Sequence, residues 1–400
     1  MPPPPMELID DVTAEILLRL PPDEPEHLFR AALVCKPWLR VLCDPDFRRR
    51  YRAYHGAAPL LGLLHRLQVL QGFPADRFAS TTKMPDFPRP GSHGRHPYPL
   101  DCRHGRVLIQ MRRTVGEMKL VYLVWDPVTG DRRVVPVPHI DSLIETAAVF
   151  CAADGCDHLD CHGGPFRVAF MATDDDEEIV KASVYSSETG VWSAPVSLGS
   201  DCECYVKHME DAIRDDVFRI PYVQPRRAAV IGDEIYFTLR QGHAIVKYDR
   251  ANNCLSMINP PLQSAYGIAL MVLDGSSLGF VYTGGSSLYL WSREVSSERT
   301  AEWVQCRVIE LKTTIPVVDP GQVPLVVGSA EGVGAIFIST DAGLFTIELK
   351  SGRVRKVGKP GVYFSVLPYM SFYTPGIVSL CFSVVLNFLY SLVDGSVLCE

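Results

Sequence analysis

The sequence predicts a multidomain chain of two unlike parts: a small α-helical unit at the N-terminus, followed by an all-β propeller of six blades. Three observations carry this expectation. Apolar residues between positions 8 and 55 recur three or four apart, the period of helices, with aspartate and proline as punctuation. From Gly105 onward the period changes to two, that of strands. One hairpin pattern then returns along the chain: an apolar strand, a five-residue turn closing on Gly or Asn, and a second strand.

In the helical part, Ile9, Val12, Ile16 and Leu20 share one face of a first helix. Asp10 or Asp11 offers its N-cap, and Pro21-Pro22 ends it for want of amide hydrogens. Asp23 with Glu26 three residues on spells a capping box for a second helix, whose apolar side is Leu28, Ala31, Ala32 and Leu33. Pro37 suits the first turn of a third helix carrying Trp38, Val41 and Leu42, and it biases Lys36 toward extended backbone. Asp44-Pro45 repeats the signal and opens a last helix, with Phe47 inward and Arg48, Arg49, Arg50 and Arg52 mostly outward. Ile16, Leu17, Leu20, Leu33, Val34 and Trp38 cannot all enter the core of so small a unit. Either the following domain or a partner covers the remainder.

The run E-I-L-L-R-L-P, then L-V-C-K-x-W, then D-P-x-F resembles an F-box over about forty-five residues. That resemblance implies docking onto the Skp-type adaptor of a cullin-RING ubiquitin ligase. The implied adaptor contacts are Leu8, Ile9, Ile16, Leu17, Leu20, Pro21, Leu33, Val34, Cys35 and Trp38. One position departs from the pattern: F-boxes usually begin Leu-Pro, whereas Ile9 follows Leu8 here, which implies a weaker entry turn and lower adaptor affinity.

Composition bounds the rest. With 47% hydrophobic and 21% charged residues in 400, the chain can bury a large core. A net charge of −7 argues against nucleic acid or an anionic membrane as principal partner. MPPPPMELIDD has neither a basic nor an apolar leader segment, so the 12 cysteines are expected as thiols in the cytoplasm or nucleus.

The β part begins uncertainly. PLLGLLHRL reads as a strand, and KMPDFPRPGSHGRHPYP as a long surface loop. Turns are then expected at Asp126 to Gly130, Ser186 to Gly190, Asp249 to Asn253 and Glu348 to Gly352, and a longer hairpin spans SSLYLWSREVSSERTAEWVQCRVIEL. Adding HGRVLIQM, GPFRVAFMA, GDEIYFTL, GAIFIST, ETAAVF, GIALMVL and PLVVGS gives about four strands per unit. Five units fall near 100–138, 142–198, 223–260, 265–311 and 324–358. A sixth closes when PLLGLLHRL pairs with YFSVLPYMSFYT, which removes the free sheet edges. The repeat resembles kelch-like propellers without their Gly-Gly and Tyr…Trp signature. An F-box followed by such a degenerate propeller resembles large plant families, and CDHLDCHGGPFRVAF with LPYMSFYTP most resembles their grass members. The expected division is a Pro-rich disordered leader at 1–7, an F-box at 8–55, an F-box-associated propeller at 58–375 and an apolar tail at 376–400.

Three clusters offer chemistry, and each is read as structural. Cys151, Cys156, His158, Cys161 and His162 supply enough donors for zinc, but the spacing is not CxxC and the thiols are taken as incidental to a polar loop, so no metal is assigned. Asp174 to Glu178 contains no glycine, and reads as a solvated turn rather than a calcium loop. No nucleophile elbow occurs, so no catalytic site and no cofactor are expected. The run 377–393 is almost wholly apolar but lacks flanking Lys or Arg, and membrane anchoring is not the favoured reading. The expected function is substrate recognition for a Skp-cullin-F-box ligase, with an unidentified target protein on the propeller; the alternative is an interaction scaffold outside any ligase.

Overall fold

In the computed structural model the residues described are 10–67, 78–84, 87, 95–113, 120–142, 144–174, 176–177, 179–199, 202–214, 222–239, 244–261, 267–273, 276–295, 301–319 and 321–375. Leu8, Ile9 and the apolar run 377–393 lie outside them.

The helical unit comprises α1 (Asp10–Leu17), α2 (Glu26–Ala32), α3 (Lys36–Cys43) and α4 (Pro45–His55). Ala14, Leu17, Leu18, Leu28, Ala31, Leu42, Phe47 and Tyr51 fill its core. Two local expectations need correction. Pro25, with its fixed φ, is the N-cap of α2 and starts that helix too late for a capping box from Asp23; Glu26 is buried instead, with Lys83 at 3.8 Å. Lys36 is helical after all, and the extended conformation falls on Cys35. The Asp44 cap forms as expected: its Oδ1 accepts from the amides of Asp46 at 2.7 Å and Phe47 at 3.2 Å.

Among the described residues the rest of the chain makes six sheets. The first complete one is β3 (Arg95–Arg103), β4 (Arg106–Arg113), β5 (Val121–Trp125) and β6 (Arg132–Val135). The second is β7 (Glu145–Cys151), β8 (Phe166–Thr173), β9 (Val180–Ser186) and the short β10 (Val196–Ser197). Then come β11 (Ala229–Ile231), β12 (Glu234–Thr238), β13 (Ile245–Asp249) and β14 (Cys254–Ile258). The fourth holds β15 (Ala269–Leu273), β16 (Ser277–Gly284), β17 (Ser287–Val295) and β18 (Ala301–Glu310). The fifth holds β19 (Leu325–Ala330), β20 (Ala335–Thr340), β21 (Gly343–Glu348) and β22 (Val354–Gly358). Each is an antiparallel meander, so the molecule is a six-bladed propeller behind a helical unit.

The last blade is built from both ends of the β region. β1 (Leu60–Leu67) lies between β2 (Phe78–Ser80) and β23 (Tyr363–Met370), with Leu60 opposite Met370 and Leu67 opposite Tyr363. This is the pairing the sequence suggested, and it leaves the ring closed. The hairpin turns also fall where the pattern put them. Gly130 sits at φ 80° and donates to the Asp126 carbonyl at 2.8 Å, a left-handed position that Gly190, Asn253 and Gly352 fill in three other blades.

One segment differs from expectation, and a helix forms between two of the expected units. The C-terminal end of the presumed 83–99 loop, from Arg95 on, belongs to β3, which includes Pro97 and Pro99. That strand pairs only with β4, so one of its edges has no ladder for missing amides to break. A helix, α5 (Glu203–Arg214), joins the second and third sheets and buries Tyr205 against their core, with Met209 packed beside it.

Candidate functional site

The helical unit has two sides. One seats on the propeller: Phe29 meets Tyr373 with ring centroids 4.9 Å apart, and Phe372 and Leu159 pack into the core of the unit. Arg52 of α4 pairs with Asp160 at 2.7 Å, and the Tyr51 hydroxyl donates to the Leu20 carbonyl at 2.8 Å. The other side leaves Val12, Ile16, Leu33, Val34 and Leu39 exposed, Ile16 at 48% and Val34 at 64%. Five large apolar side chains open to water are many for a unit this small.

The ten adaptor contacts implied by the F-box resemblance divide accordingly. Ile16, Pro21, Leu33, Val34 and Cys35 are exposed. Leu20 and Trp38 are half-buried against the unit's own core. Leu17 is only 1% exposed and is corrected to a core residue: it lies one position past Ile16 on α1, which turns it inward beside Ala14 and Leu18. Leu8 and Ile9 fall outside the described residues. Val12 and Leu39 are exposed as well, although neither is among the implied adaptor contacts. Val12 was legible, being one turn before Ile16 on the same face.

On the propeller, a cavity of about 970 Å³ opens at the ends of the inner strands, where Arg103, Cys151, Ile231, Leu273 and Ala330 reach its wall. Its floor is a buried charge cluster that the sequence did not reveal. Glu331 pairs with Arg103 at 2.8 Å and Arg227 at 2.9 Å, while Asp101 pairs with Arg103 at 3.2 Å and accepts from the Val149 amide at 2.9 Å. Arg103 also donates to the Ala228 carbonyl. These contacts tie four blades across the axis with balanced charge. Burial by itself would raise the Glu331 carboxyl, but Arg103 and Arg227 outweigh it and hold the group below the usual carboxylate range. Beside the cavity Arg250 pairs with Asp233 at 2.6 Å and lies over the Phe150 ring.

The β7–β8 loop forms the wall between cavity and helical unit. It gathers Cys151, Cys156, His158 and Cys161 so that their donor atoms all lie within 4.8 Å of one another. His162, the fifth candidate, turns away: its Nδ1 meets Asp126 at 2.5 Å and its Nε2 meets Ser371 at 3.2 Å. His104 stacks on His158 at 4.0 Å, and its Nδ1 accepts from the Cys151 amide. Burial, then His158 and the nearby arginines, push His104 down to about 2, so it is neutral. Burial also pushes the Cys161 thiol up. In the acidic turn, Asp174 Oδ1 accepts from the Asp176 and Glu177 amides, and Lys181 bridges Asp174 and Glu177. That is a hydrogen-bonded turn with its own cation.

Comparison with known proteins matches residues 6–50 to the F-box domain and residues 99–377 to the family described as F-box protein AT5G49610-like, beta-propeller. Among curated proteins, F-box protein At5g03970 of Arabidopsis thaliana is 25% identical over 200 residues, covering 46% of this chain and 44% of that protein. The chain therefore spans less than half the length of that relative. Solved structures with a similar course include a streptogramin B lyase, at TM-score 0.35 and 14% identity over 70% of this chain and 71% of that one. The Malassezia sympodialis allergen Mala s 1 is another, at TM-score 0.38 and 11% identity over 67% of this chain and 83% of that one.

Proposed function

The chain belongs to the family of F-box proteins with an AT5G49610-like β-propeller, and from that premise we propose that it is the substrate-recognition subunit of a Skp-cullin-F-box ubiquitin ligase. The observation that carries the reading is the open apolar surface of Val12, Ile16, Leu33, Val34 and Leu39, on a unit whose opposite side is already occupied by the propeller. A Skp-type adaptor covers that surface, and a target protein binds the propeller. The subunit does no chemistry of its own. It raises the concentration of target lysines near the ubiquitin-conjugating enzyme, a positional effect. It works in the cytoplasm or nucleus, needs no cofactor, and binds neither nucleic acid nor membrane as its principal partner. No helix among the described residues is long and apolar enough to cross a membrane.

Affinity purification of the tagged full chain with mass spectrometry tests this. Adaptor and cullin should co-purify with the wild type and be lost with Val34→Asp, while the target should be retained by both. Recovery of a target without adaptor or cullin from the wild type would instead support a scaffold outside the ligase.

A further inference from the structure

We propose that Cys151, Cys156, His158 and Cys161 bind one zinc ion, and that this structural site fastens the helical unit to the propeller. Zn–S bonds near 2.3 Å and Zn–N bonds near 2.1 Å, at tetrahedral angles, place sulfurs about 3.8 Å apart and sulfur and nitrogen about 3.6 Å apart. Cys161 Sγ lies 3.7 Å from Cys156 Sγ and 3.7 Å from His158 Nδ1. With all four donors within 4.8 Å, a contraction of about an ångström at the widest separation completes the tetrahedron.

The surroundings are those a thiolate-rich metal site requires. The Ala153 amide donates to Cys151 Sγ and the His158 amide to Cys156 Sγ, each at 3.4 Å, the kind of outer hydrogen bonds that orient ligands. Cys151 is fixed at the end of β7, and His158 holds a left-handed backbone, φ 60°, that turns its imidazole back toward the thiols. On binding, three thiols release their protons to solvent, and zinc with three thiolates and a neutral imidazole carries one net negative charge. A compensating cation is present: Arg106 donates to the carbonyls of Cys161 and Gly164, and its Nη1 is buried without an acceptor among the described residues.

The fastening follows from the two residues between the last ligands. Leu159 packs into the core of the helical unit and Asp160 pairs with Arg52 of α4. Holding His158 and Cys161 on one ion therefore holds the loop that seats the helical unit. A merely polar loop would need neither the converging thiols nor the buried guanidinium.

The test is metal analysis of the full chain, purified in reductant without chelator after growth with zinc. One zinc per chain is expected, with loss of the metal in Cys156→Ser and retention in His162→Asn. Cobalt added to the demetallated wild type should give tetrahedral visible bands with a thiolate-to-metal charge-transfer band. Because that readout uses the wild type, a Cys156→Ser chain that fails to fold leaves the proposal testable. Chelation should raise hydrogen exchange in α4 while β15 to β18 are unchanged. Zinc far below one per chain after zinc loading, a Cys156–Cys161 disulfide in the reduced preparation, octahedral cobalt, or full zinc retention in a folded Cys156→Ser chain would each overturn the site. Zinc bound as expected with unchanged exchange in α4 would overturn the fastening role.

Discussion

Closure of the propeller rests on a contact that one methyl group should break. Gly328 lies in β19 at a register shift between Val326 and Gly328, beside β23 of the last blade. A Cβ at this position would stand under 3.0 Å from the Val366 carbonyl oxygen of β23 and 3.4 Å from its carbon. The opposing atoms are backbone, and β23 is held by its ladder with β1, so they cannot swing aside as a side-chain tip would. Gly328→Ala should therefore cost at the upper end of overpacking, about 3 kcal/mol. With an unfolding entropy near 2.1 cal/mol/K per residue, a propeller of roughly 300 residues should melt about 5 °C lower. Thermal melts followed by circular dichroism, with hydrogen exchange of residues 363–370, provide the assay. A Tm equal to wild type, with β23 fully protected, would refute the packing of β19 on β23 and hence the described closure.

Other outcomes follow from the same structure. Glu331→Gln leaves Arg103 and Arg227 to share Asp101 and should cost about 3–5 kcal/mol in urea unfolding, whereas Asp233→Asn, at an exposed carboxylate, should cost less than about 1 kcal/mol; equal effects would contradict the buried cluster. His65 in β1 is pushed down to about 4 by burial. The unfolded chain then takes up the proton first, so stability is full above the ordinary imidazole value near 6.5 and falls as pH drops toward 4, by up to about 3 kcal/mol. His65→Phe should remove that share of the slope and leave the share that the buried His104 contributes, and an unchanged slope would exclude His65 as a source. A chain truncated after Gly358 lacks β23 and should aggregate or melt early, while one ending at Gly376 should melt like the full chain; cooperative folding of the shorter one would rule out closure by β23.

What the sequence made legible was whatever rests on local chemistry. The Asp44 cap, the turns ending at Gly130 and Asn253, and the short apolar runs of β8 and β20 are set by residues within a few positions of one another. The pairing of β1 with β23 was legible for a different reason: a strand at each end of a repeat array needs a partner, and only the other was left. The charge cluster was hidden because Asp101, Arg103, Arg227 and Glu331 meet only across the axis, from blades far apart in sequence. Leu17 was misassigned because Ile16 and Leu17 look alike in a motif and are separated only by the turn of α1. The Cys/His loop was discounted on spacing, although folding through left-handed residues such as Gly155 and His158 brings irregularly spaced donors together. α5 carried a weak signal, Tyr205 and Met209 one turn apart, between the units expected at 142–198 and 223–260.

The central claim is that the exposed apolar side of the helical unit docks a Skp-type adaptor. Isothermal titration calorimetry of the full chain with a purified Skp-type adaptor measures this directly. Val34→Asp should weaken binding by about 2 kcal/mol or more, roughly thirtyfold, because the exposed valine is buried on docking. Arg49→Ala should leave affinity unchanged, since Arg49 is exposed and pairs with the equally exposed Asp46 on its own helix. Saturable one-to-one binding by the wild type, lost selectively at Val34, is the predicted result; no binding, or the same affinity for all three chains, would contradict it.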